Sequence, residues 1–570
     1  MSLSEFPSST GRQSLAYAVP NRRLPERAID SFLGWVIMGL YWKCARQNAN
    51  LKKEGIMTRV TVVLVAAAVL VALMLVGVAG AQAPTPYYTG ISLVNASDTE
   101  DAHIVVAFYN QDGSGPPDPD YSMALTIGPG KSKSIINNLN SDLSADILAP
   151  PPAIRGATSW AGNAVVYSDQ PVLSIANEAA SVNSPYGSAS YNGLLEEDLA
   201  ALFYAPLIAK IGQPDTAINI QNPSSAPVSV TVEYVSDVYG TDYTAPLVVL
   251  PGNGSAIWPV PTGALDGTGR FLGSAKVTGD GDIAVVVDAI YATSGPNSQR
   301  YNARQSYTGF SGGADKVVAP LIQKNDNGVW YTGLSVMNLG PGSAEVEITY
   351  EGFEGTGSDT NCIPDTAVGG LTETVTLNEN ESRSILTEFG GGLDSVALAG
   401  LDCYRGAATS EVVSGTGKLA ATVSVAGQNL ADVAIYRAFD PAKATDTVGV
   451  PLAQKYLGVA GPNGWCTGIQ VANLGGSAAD ITGTFYVTCD GVPETVVETA
   501  TGVASGSSVT FLQVNGFLMG ALGTRQNCIG SASFSSDAGQ PIVAQVQQYF
   551  FGAGNPFTGD VLLAYEGFNK

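Results

Sequence analysis

The sequence predicts an all-β chain in which one antiparallel β-sandwich domain is repeated four times. Three observations predict this architecture: a segment that recurs four times, a tetrapeptide that closes each recurrence, and strands in which apolar and polar residues alternate. Self-similarity of this kind is typical of a modular array built from one fold. Each recurring segment ends in an asparagine, at Asn95, Asn222, Asn338 and Asn473. The closing tetrapeptides begin at Tyr191, Tyr307, Tyr436 and Tyr565.

The alternating runs identify the strands. In the second repeat, apolar residues occupy every other position from Val228 to Tyr234, and in the third from Ala344 to Tyr350. This period indicates antiparallel strands with one buried and one solvated face. About eight strand candidates in the third repeat, separated by turn residues, predict a two-sheet sandwich of immunoglobulin-like type.

A glycine recurs late in each repeat, before two apolar runs joined by turn residues. This order predicts one further hairpin per repeat. The glycines are Gly162, Gly273, Gly406 and Gly530.

The repeated asparagine has two interpretations. At the end of a strand, asparagine tolerates the left-handed backbone conformation, and its side chain can bond the backbone two residues further on. The alternative is a ligand contact repeated four times. We favour the turn, because it needs no partner.

The first 83 residues are expected to precede the array. Arg59 is followed by an uncharged run from Val60 to Val78, and small residues follow up to Ala83. This order predicts a signal peptide over residues 57–83 and an extracellular or cell-surface protein. The run is also long enough to span a bilayer, so an uncleaved anchor is the alternative, with membrane contact only through this segment. Residues 1–56 are interpreted as a disordered extension or as the result of a start codon assigned too early.

The rest of the chain is strongly acidic. The full sequence has 27 Lys and Arg against 50 Asp and Glu; without residues 1–83, 18 remain against 46, a net charge of −28. Such a surface repels nucleic acid, which we therefore exclude as a partner. The remaining length is too great for one domain and fits four. The expected domains are residues 84–200, 201–314, 315–443 and 444–570, arranged as a rod.

Matching cysteine positions in the third and fourth repeats predict two disulfides, Cys362–Cys403 and Cys489–Cys528, consistent with export. Cys466 is left over. We interpret it as a buried thiol in an apolar site, with an intermolecular bridge as the alternative.

Catalytic chemistry has little support in the sequence. The array has one histidine, His103, too few for a Ser-His-Asp triad or a histidine-based zinc site. The densest acidic cluster, Glu196 to Asp198, lies between the first two repeats and is interpreted as a solvated charge run. We therefore expect no enzyme, with a glycoside hydrolase as a remote alternative.

No cofactor or metal is expected, although calcium is an alternative at two acidic loops. Asp112, Asp118 and Asp120 share one loop, and Asp280 and Asp282 share another. Neither loop has the residue spacing of a dedicated calcium site.

Tryptophans are the best candidates for ligand binding. Trp330 and Trp465 follow Asn-Gly loops, and Trp160 and Trp258 lie in the first two repeats. Stacking on a sugar ring is one role for them. Packing between consecutive repeats explains Trp330 and Trp465 more simply.

The recurring Pro-Leu-x-x-Lys, Trp-x-Thr-Gly and Asn-Leu-Gly elements resemble those of secreted bacterial tandem β-sandwich repeat proteins. The last three repeats carry the resemblance, whereas the first has no Pro-Leu-x-x-Lys. The resemblance implies architecture and not activity. We expect a non-enzymatic secreted or cell-surface protein with a structural, assembly or adhesive role, whose partners are other surface proteins or itself. The alternative is a carbohydrate-binding protein that recognises polysaccharide through edge aromatic residues.

Overall fold

The structure is a computed structural model. It describes residues 87–569 except 98, 117, 138–140, 143–144, 156, 158–159, 181–187, 213, 292–302, 327, 329, 356–361, 363, 365, 388–392, 428–431, 459–463, 514–521 and 552–561. The expected extension (1–56) and signal segment (57–83) lie outside the described residues. Within the described part, no helix has the length and apolar character needed to cross a membrane.

The described chain is almost entirely β. In the first repeat the strands are β1 Tyr87–Asn95, β2 Ala102–Asn110, β3 Ser122–Ile127, β4 Ser132–Ile136, β5 Ile147–Leu148, β6 Gly162–Ser168, β7 Val172–Ala180 and β8 Ser188–Asn192. In the second they are β9 Ala200–Lys210, β10 Asp215–Gln221, β11 Val228–Tyr239, β12 Tyr243–Thr244, β13 Val248–Leu250, β14 Ser255–Pro259, β15 Phe271–Tyr291 and β16 Ala303–Thr308.

The last two repeats are built in the same way. In the third repeat the strands are β17 Lys316–Lys324, β18 Trp330–Asn338, β19 Ala344–Gly355, β20 Thr366–Leu377, β21 Ser382–Leu386, β22 Cys403–Gly415, β23 Leu419–Gly427 and β24 Val433–Arg437. In the fourth they are β25 Thr447–Lys455, β26 Leu457–Gly458, β27 Gly464–Asn473, β28 Ala479–Cys489, β29 Val492–Val503, β30 Ser508–Leu512, β31 Cys528–Ser536, β32 Ile542–Phe551, β33 Leu562–Glu566 and β34 Phe568–Asn569. The helical segments described are α1 Pro152–Arg155 and the 3₁₀ turns Pro119–Tyr121, Glu196–Asp198, Thr262–Ala264, Pro441–Lys443 and Asp537–Gly539.

The third repeat shows the common plan. Its eight described strands form two antiparallel sheets, β17-β22-β19-β20 and β21-β18-β23-β24, which enclose an apolar core. The second repeat departs from this plan in one respect, because its 21-residue strand β15 serves both sheets, with a register shift between Thr278 and Ile283. The all-β, antiparallel class predicted from the alternation is confirmed.

The strand connectivity differs from the immunoglobulin-like one that we expected. In immunoglobulin domains the first strand joins the sheet of the second and fifth. Here β17 pairs with the sixth strand, β22, while the seventh strand, β23, pairs with the second, β18. The predicted late hairpin is wrong for the same reason, since the sixth and seventh strands lie in opposite sheets. Residue alternation fixes which face of a strand is buried, but not which sheet the strand joins.

The recurring glycine marks a close approach of two backbones. A Cβ atom at Gly162, Gly273, Gly406 or Gly530 would lie 2.0–2.3 Å from a carbonyl oxygen of the neighbouring strand, which is β2, β11, β19 or β28 respectively. Only glycine permits this spacing, so the residue recurs because the sheet is tightly apposed there.

The recurring asparagine is buried, and its side chain holds two neighbouring backbone segments together by hydrogen bonds. The Oδ1 atom of Asn338 accepts a bond from the N–H of Gly340 (2.9 Å), and Nδ2 donates to the carbonyls of Gly342 (2.7 Å) and Leu377 (3.1 Å). The other three asparagines make equivalent bonds, and all four are fully buried. The predicted bond two residues on is present. The left-handed conformation is not adopted, because none of the four is among the described residues with positive φ.

Candidate functional site

The closing tetrapeptide of each repeat holds the first strand of that repeat. In the third repeat the Tyr436 hydroxyl donates to the carbonyl of Leu321 (2.7 Å) and accepts from its N–H (3.1 Å). Three residues later, the backbone of Phe439 exchanges two 2.8 Å hydrogen bonds with Val318. Tyr307 and Tyr565 bond the carbonyls of Leu207 and Leu452 in the same way. The Pro-Leu element and the tetrapeptide therefore bind each other and hold the first and last strands of the repeat together.

The last strands of the four repeats, β8, β16, β24 and β33, form a closed ring. Each contacts the next, and β33 contacts β8. The bonds that join the fourth repeat to the first are Ser190 Oγ to the carbonyl of Ala564 (2.8 Å) and Asn192 Nδ2 to the carbonyl of Glu566 (2.9 Å). The expected rod is therefore wrong. Head-to-tail contacts between like units close into a ring when their rotation permits it, and a repeat pattern does not report that rotation.

The second residue of each tetrapeptide lies at one end of this ring. The Arg437 guanidinium donates to Thr308 Oγ1 (2.9 Å) and lies 4.3 Å from the centroid of the Phe310 ring. Its backbone N–H bonds the Glu566 carboxylate, and the Glu566 N–H bonds Asn192 Oδ1 (3.2 Å). Burial raises the pKa of Glu566 despite the nearby Arg437. These four different side chains link the repeats around the ring.

A buried ionic cluster joins the first and second repeats. Arg304 Nη2 lies 2.5 Å from a Glu178 oxygen and 2.6 Å from an Asp288 oxygen. Asp288 also accepts bonds from Ser306 (2.5 Å) and Asn219 (2.8 Å). Two carboxylates thus share one guanidinium. Burial is the main cause that raises the pKa of Glu178 to about 7, and the neighbouring Asp288 adds to it.

A turn of each repeat docks on the sixth strand of the repeat before it. The residue after the recurring glycine donates to a carbonyl of that turn in three of the four interfaces. The bonds are Asn163 to Asn253 (3.1 Å), Ser274 to Asn380 (2.6 Å) and Ser531 to Gly130 (2.9 Å). The last of these again joins the fourth repeat to the first. Three of the four interfaces thus share one contact.

Each sandwich has two unlike ends. At one, which we call the turn end, one connection has four residues in every repeat, at 128–131, 251–254, 378–381 and 504–507, and the connection at the recurring asparagine has five or six. At the other, the loop end, the connection between the third and fourth strands spans 111–121 in the first repeat but only 490–491 in the fourth. The connection into the last strand starts from the loop end too, and it varies from five residues (428–432) to eleven (292–302). The last strands lie side by side with matching residues opposite each other, as Ser190 with Ala564 and Asn192 with Glu566 show, so the starts of these strands share one face of the ring.

The loop end of the third and fourth repeats carries both disulfides. Cys362–Cys403 and Cys489–Cys528 are present, and each ties the start of the sixth strand. Exposed apolar side chains lie at the same end: Phe353 (47% exposed), Val396 (81%) and Val492 (63%).

Trp330 and Trp465, the loop tryptophans, also lie at the loop end and are half-buried. The Trp330 ring packs edge-on against Tyr549 of the fourth repeat, with centroids 6.1 Å apart. Trp160 packs on Phe108 in the first core and donates to Asn110 (2.9 Å), and Trp258 lies against the second core. Trp160 and Trp258 thus lie against the cores of their own repeats, and Trp330 lies against the fourth repeat.

Cys466 is buried, and burial raises the pKa of its thiol to about 11. It packs with Tyr456, which has positive φ, as does Asn325 at the matching place in the third repeat. There Tyr331 occupies the position of Cys466 and bonds Asn325 (3.0 Å). Each repeat thus has one tyrosine in this pair of positions: the third has it at the later position (Tyr331) and the fourth at the earlier one (Tyr456).

Three of the acidic loop residues singled out in the sequence accept hydrogen bonds from the local backbone. Asp112, Asp118 and Asp280 accept backbone N–H bonds of 2.8–2.9 Å from nearby residues or strands. His103 is exposed and pairs with Asp169 (2.8 Å). Within the described ranges, no three His, Cys, Asp or Glu residues are grouped so as to hold a metal ion.

Sequence reasoning missed the residues that close the ring. Glu178, Asp288 and Arg304 are separated by up to 126 positions, and nothing in the repeat pattern brings them together. The tetrapeptides did contain a signal for these contacts between repeats. Their first residue is always tyrosine, whereas the second is Asn, Thr, Arg or Glu.

No protein-family model and no curated protein matches this chain. Among solved structures, the crystal structure of Thermotoga maritima 1070 matches 20% of this chain and 93% of its own length, with 10% identity and a TM-score of 0.16.

Proposed function

We propose that this chain is a non-enzymatic secreted or cell-surface protein with an adhesive or assembly role, in which the ring displays the loop end of its sandwiches to a partner. The observation that carries the proposal is the contrast between the two ends. Every turn-end connection within a repeat has six residues or fewer, whereas loop-end connections range from two residues (490–491) to eleven (111–121) or more. Loops of variable length on a rigid scaffold are where proteins place recognition.

The disulfides support an exported location. Disulfides persist in oxidising compartments and are rare in reducing ones, so Cys362–Cys403 and Cys489–Cys528 indicate an oxidising environment. A signal peptide at residues 57–83 agrees with it. Immunolocalisation of the native protein, together with sequencing of its N-terminus, tests export and cleavage in one preparation.

The binding surface we propose is the loop end of the third and fourth repeats. Phe353, Val396 and Val492 are exposed there, beside the disulfides. Exposed apolar side chains at the variable end of the scaffold are the candidates for contact with a protein partner. The triple variant Phe353→Ser, Val396→Ser, Val492→Ser tests this surface in the full chain.

The measurement is retention of bead-coupled protein on cell envelopes from the source of the chain. We expect the triple variant to lose most of its retention. The matched control, Leu247→Ser, Val249→Ser, Ile257→Ser, removes three equally exposed apolar side chains from the second repeat, outside the loop end. Equal retention of both variants and the parent chain would contradict the proposal.

Carbohydrate binding is the second candidate, favoured by the position of Trp330 and Trp465 at the loop end. Both side chains are half-buried, so each keeps part of its ring open for stacking on a sugar. A glycan array probed with the parent chain, Trp330→Ala and Trp465→Ala separates the two functions. A signal lost in either variant supports carbohydrate binding, and no signal with any of the three removes it.

A further inference from the structure

The fourth strand of each repeat lies at the end of one of its two sheets. In the first, third and fourth repeats these end strands are β3, β20 and β29. In the second repeat the fourth strand is broken into β12 and β13, which both pair with β11. Among the described strands, every repeat therefore has a free strand edge at this place, as part of the common plan.

The backbone of Val249 faces the free edge of β13. Val249 lies opposite Ser229 of β11, and the Ser229 N–H donates to Asp280 Oδ1 (2.8 Å) of β15, on the other side of β11. In an antiparallel sheet the N–H and C=O of one residue point to the same side. Ser229 therefore makes no bond to β13, and the N–H and C=O of Val249 point away from β11.

This edge is apolar and uncharged. Leu247, Val248 and Val249 are 62%, 38% and 57% exposed, and no charged residue occurs from 243 to 265. Edge strands are commonly protected from pairing by charged side chains. The matching strands of the last two repeats carry such charges: Glu373 in β20, and Glu494 and Glu498 in β29. The edge of β13 lacks this protection.

Two prolines limit the length of the exposed segment. Pro246 and Pro251 lie on either side of residues 247–250. Proline has no N–H to donate to a neighbouring strand, so regular pairing cannot extend past these positions. The edge can therefore pair with one short strand, but it is no template for a long one.

We propose that two copies of this chain associate through this edge, with β13 of one copy antiparallel to β13 of the other and Val249 opposite the partner's Val249. A two-fold axis sets a strand edge against an identical edge, and such an interface closes at the dimer. Each Val249 N–H donates to the carbonyl of the partner's Val249. The exposed side chains of Leu247 and Val249 pack against those of the second copy.

Charge favours a second copy at this edge. Residues 84–570 have 18 Lys and Arg against 46 Asp and Glu, so most surfaces of two copies repel each other. The uncharged segment lets them approach without like charges opposite each other. The paired segment is short, and interfaces that bury less than about 1,200 Å² are usually weak or transient, so we expect a weak dimer. The loop end takes no part in it, and either proposal can fail alone.

The experiment measures the mass of the full chain by sedimentation equilibrium between about 10 μM and about 1 mM, a range that covers weak association. We expect the mass to rise with concentration from one chain towards two and not beyond. Hydrogen exchange is measured at both ends of this range. Exchange of the Val249 amide is expected to slow as the dimer forms, while the amides of β29 do not change.

Charged variants identify the contact. Val249→Lys sets two like charges opposite each other and is expected to weaken association at least about ten-fold, and so is Val249→Asp. An equimolar mixture of these two variants is expected to form a mixed dimer, because opposite charges then face each other. The matched control is Val497→Lys, at an equally exposed position (59%) on the fourth strand of the fourth repeat, which should associate as the parent does.

Four outcomes overturn the proposal. A parent chain that stays monomeric at every concentration is the first, and a Val249→Lys chain that associates as strongly as the parent is the second. A mixture of the two charged variants that stays monomeric excludes the two-fold arrangement. A Val249 amide that is equally protected at all concentrations shows that the edge is covered within one molecule.

Discussion

The hydroxyl of Tyr436 lies 2.7 Å from the carbonyl oxygen of Leu321, 115 residues earlier in the chain. The bond is buried and fastens the last strand of the third repeat to the first. Tyr436→Phe leaves the ring in place and removes only the hydroxyl. We expect a loss of about 1–2 kcal/mol in the free energy of unfolding, because the Leu321 carbonyl and N–H lose a partner while buried. Denaturant unfolding measures it, and Tyr167→Phe at a half-exposed site serves as control.

A substitution at Asn338 tests the hydrogen bonds made by the recurring buried asparagine. In Asn338→Asp the Oδ1 bond to Gly340 survives, but the carboxylate faces the carbonyls of Gly342 and Leu377, to which the amide had donated. A buried carboxylate in such surroundings has a raised pKa. The folded state then binds more protons than the unfolded state above pH ~4, so the stability of the variant falls as pH rises from there. Thermal melts at pH 4 and pH 7, with Asn338→Ala as the uncharged control, measure the effect; a variant equally stable at both would show that the carboxylate is solvated.

Glu178 makes the junction of the first two repeats pH-dependent. Its pKa is raised from 4.5 to about 7 by burial. Between these values the folded state holds a proton that the unfolded state has lost, so this contribution to stability is present below pH 4.5 and is lost as pH rises through 7. We expect a decrease on the order of 1–3 kcal/mol over that range. Comparison of the parent with Glu178→Gln across pH 4–8 isolates it, since the amide does not titrate.

Reduction of the disulfides should destabilise the last two repeats. Cys362 and Cys403 are separated by 41 residues, and Cys489 and Cys528 by 39. Loops of this length correspond to about 4 kcal/mol each in the chain-entropy model. Melting of Cys362→Ala/Cys403→Ala and of Cys489→Ala/Cys528→Ala under non-reducing conditions measures each separately. The parent chain with reductant should show both effects, and Cys466→Ala without reductant should show neither.

Arg437 and Glu566 couple the third repeat to the fourth. Arg437→Ala removes the cation near a buried carboxylate and the contact with Phe310, and we expect a loss of about 3 kcal/mol. Glu566→Ala leaves no buried charge, so the double variant should lose less than the sum of the two single ones. Strict additivity in this double-mutant cycle would mean that the two side chains do not interact.

The sequence predicted well what depends on local pattern. The β class follows from alternation, and the bond from Asn338 to Gly340 spans two residues. The cysteine pairs could be matched because two repeats carry them at corresponding positions. Sheet membership could not be predicted, because β17 and β23 both alternate and either could have joined either sheet. The ring was also beyond prediction, because its closure depends on the rotation between repeats, and residues such as Arg304 and Glu178 meet only after that rotation is fixed.

Closure of the ring determines how the protein bears a mechanical load. In a linear array, a pull on the first and last repeats would pass through every repeat in series. Here β1 and β33 belong to neighbouring repeats, so the same pull acts first on the contacts of Ser190 with Ala564 and of Asn192 with Glu566. Hydrogen bonds loaded together along parallel strands resist shear collectively. We therefore expect the array to yield at this seam before any sandwich unfolds, and the seam to close again when the load is removed.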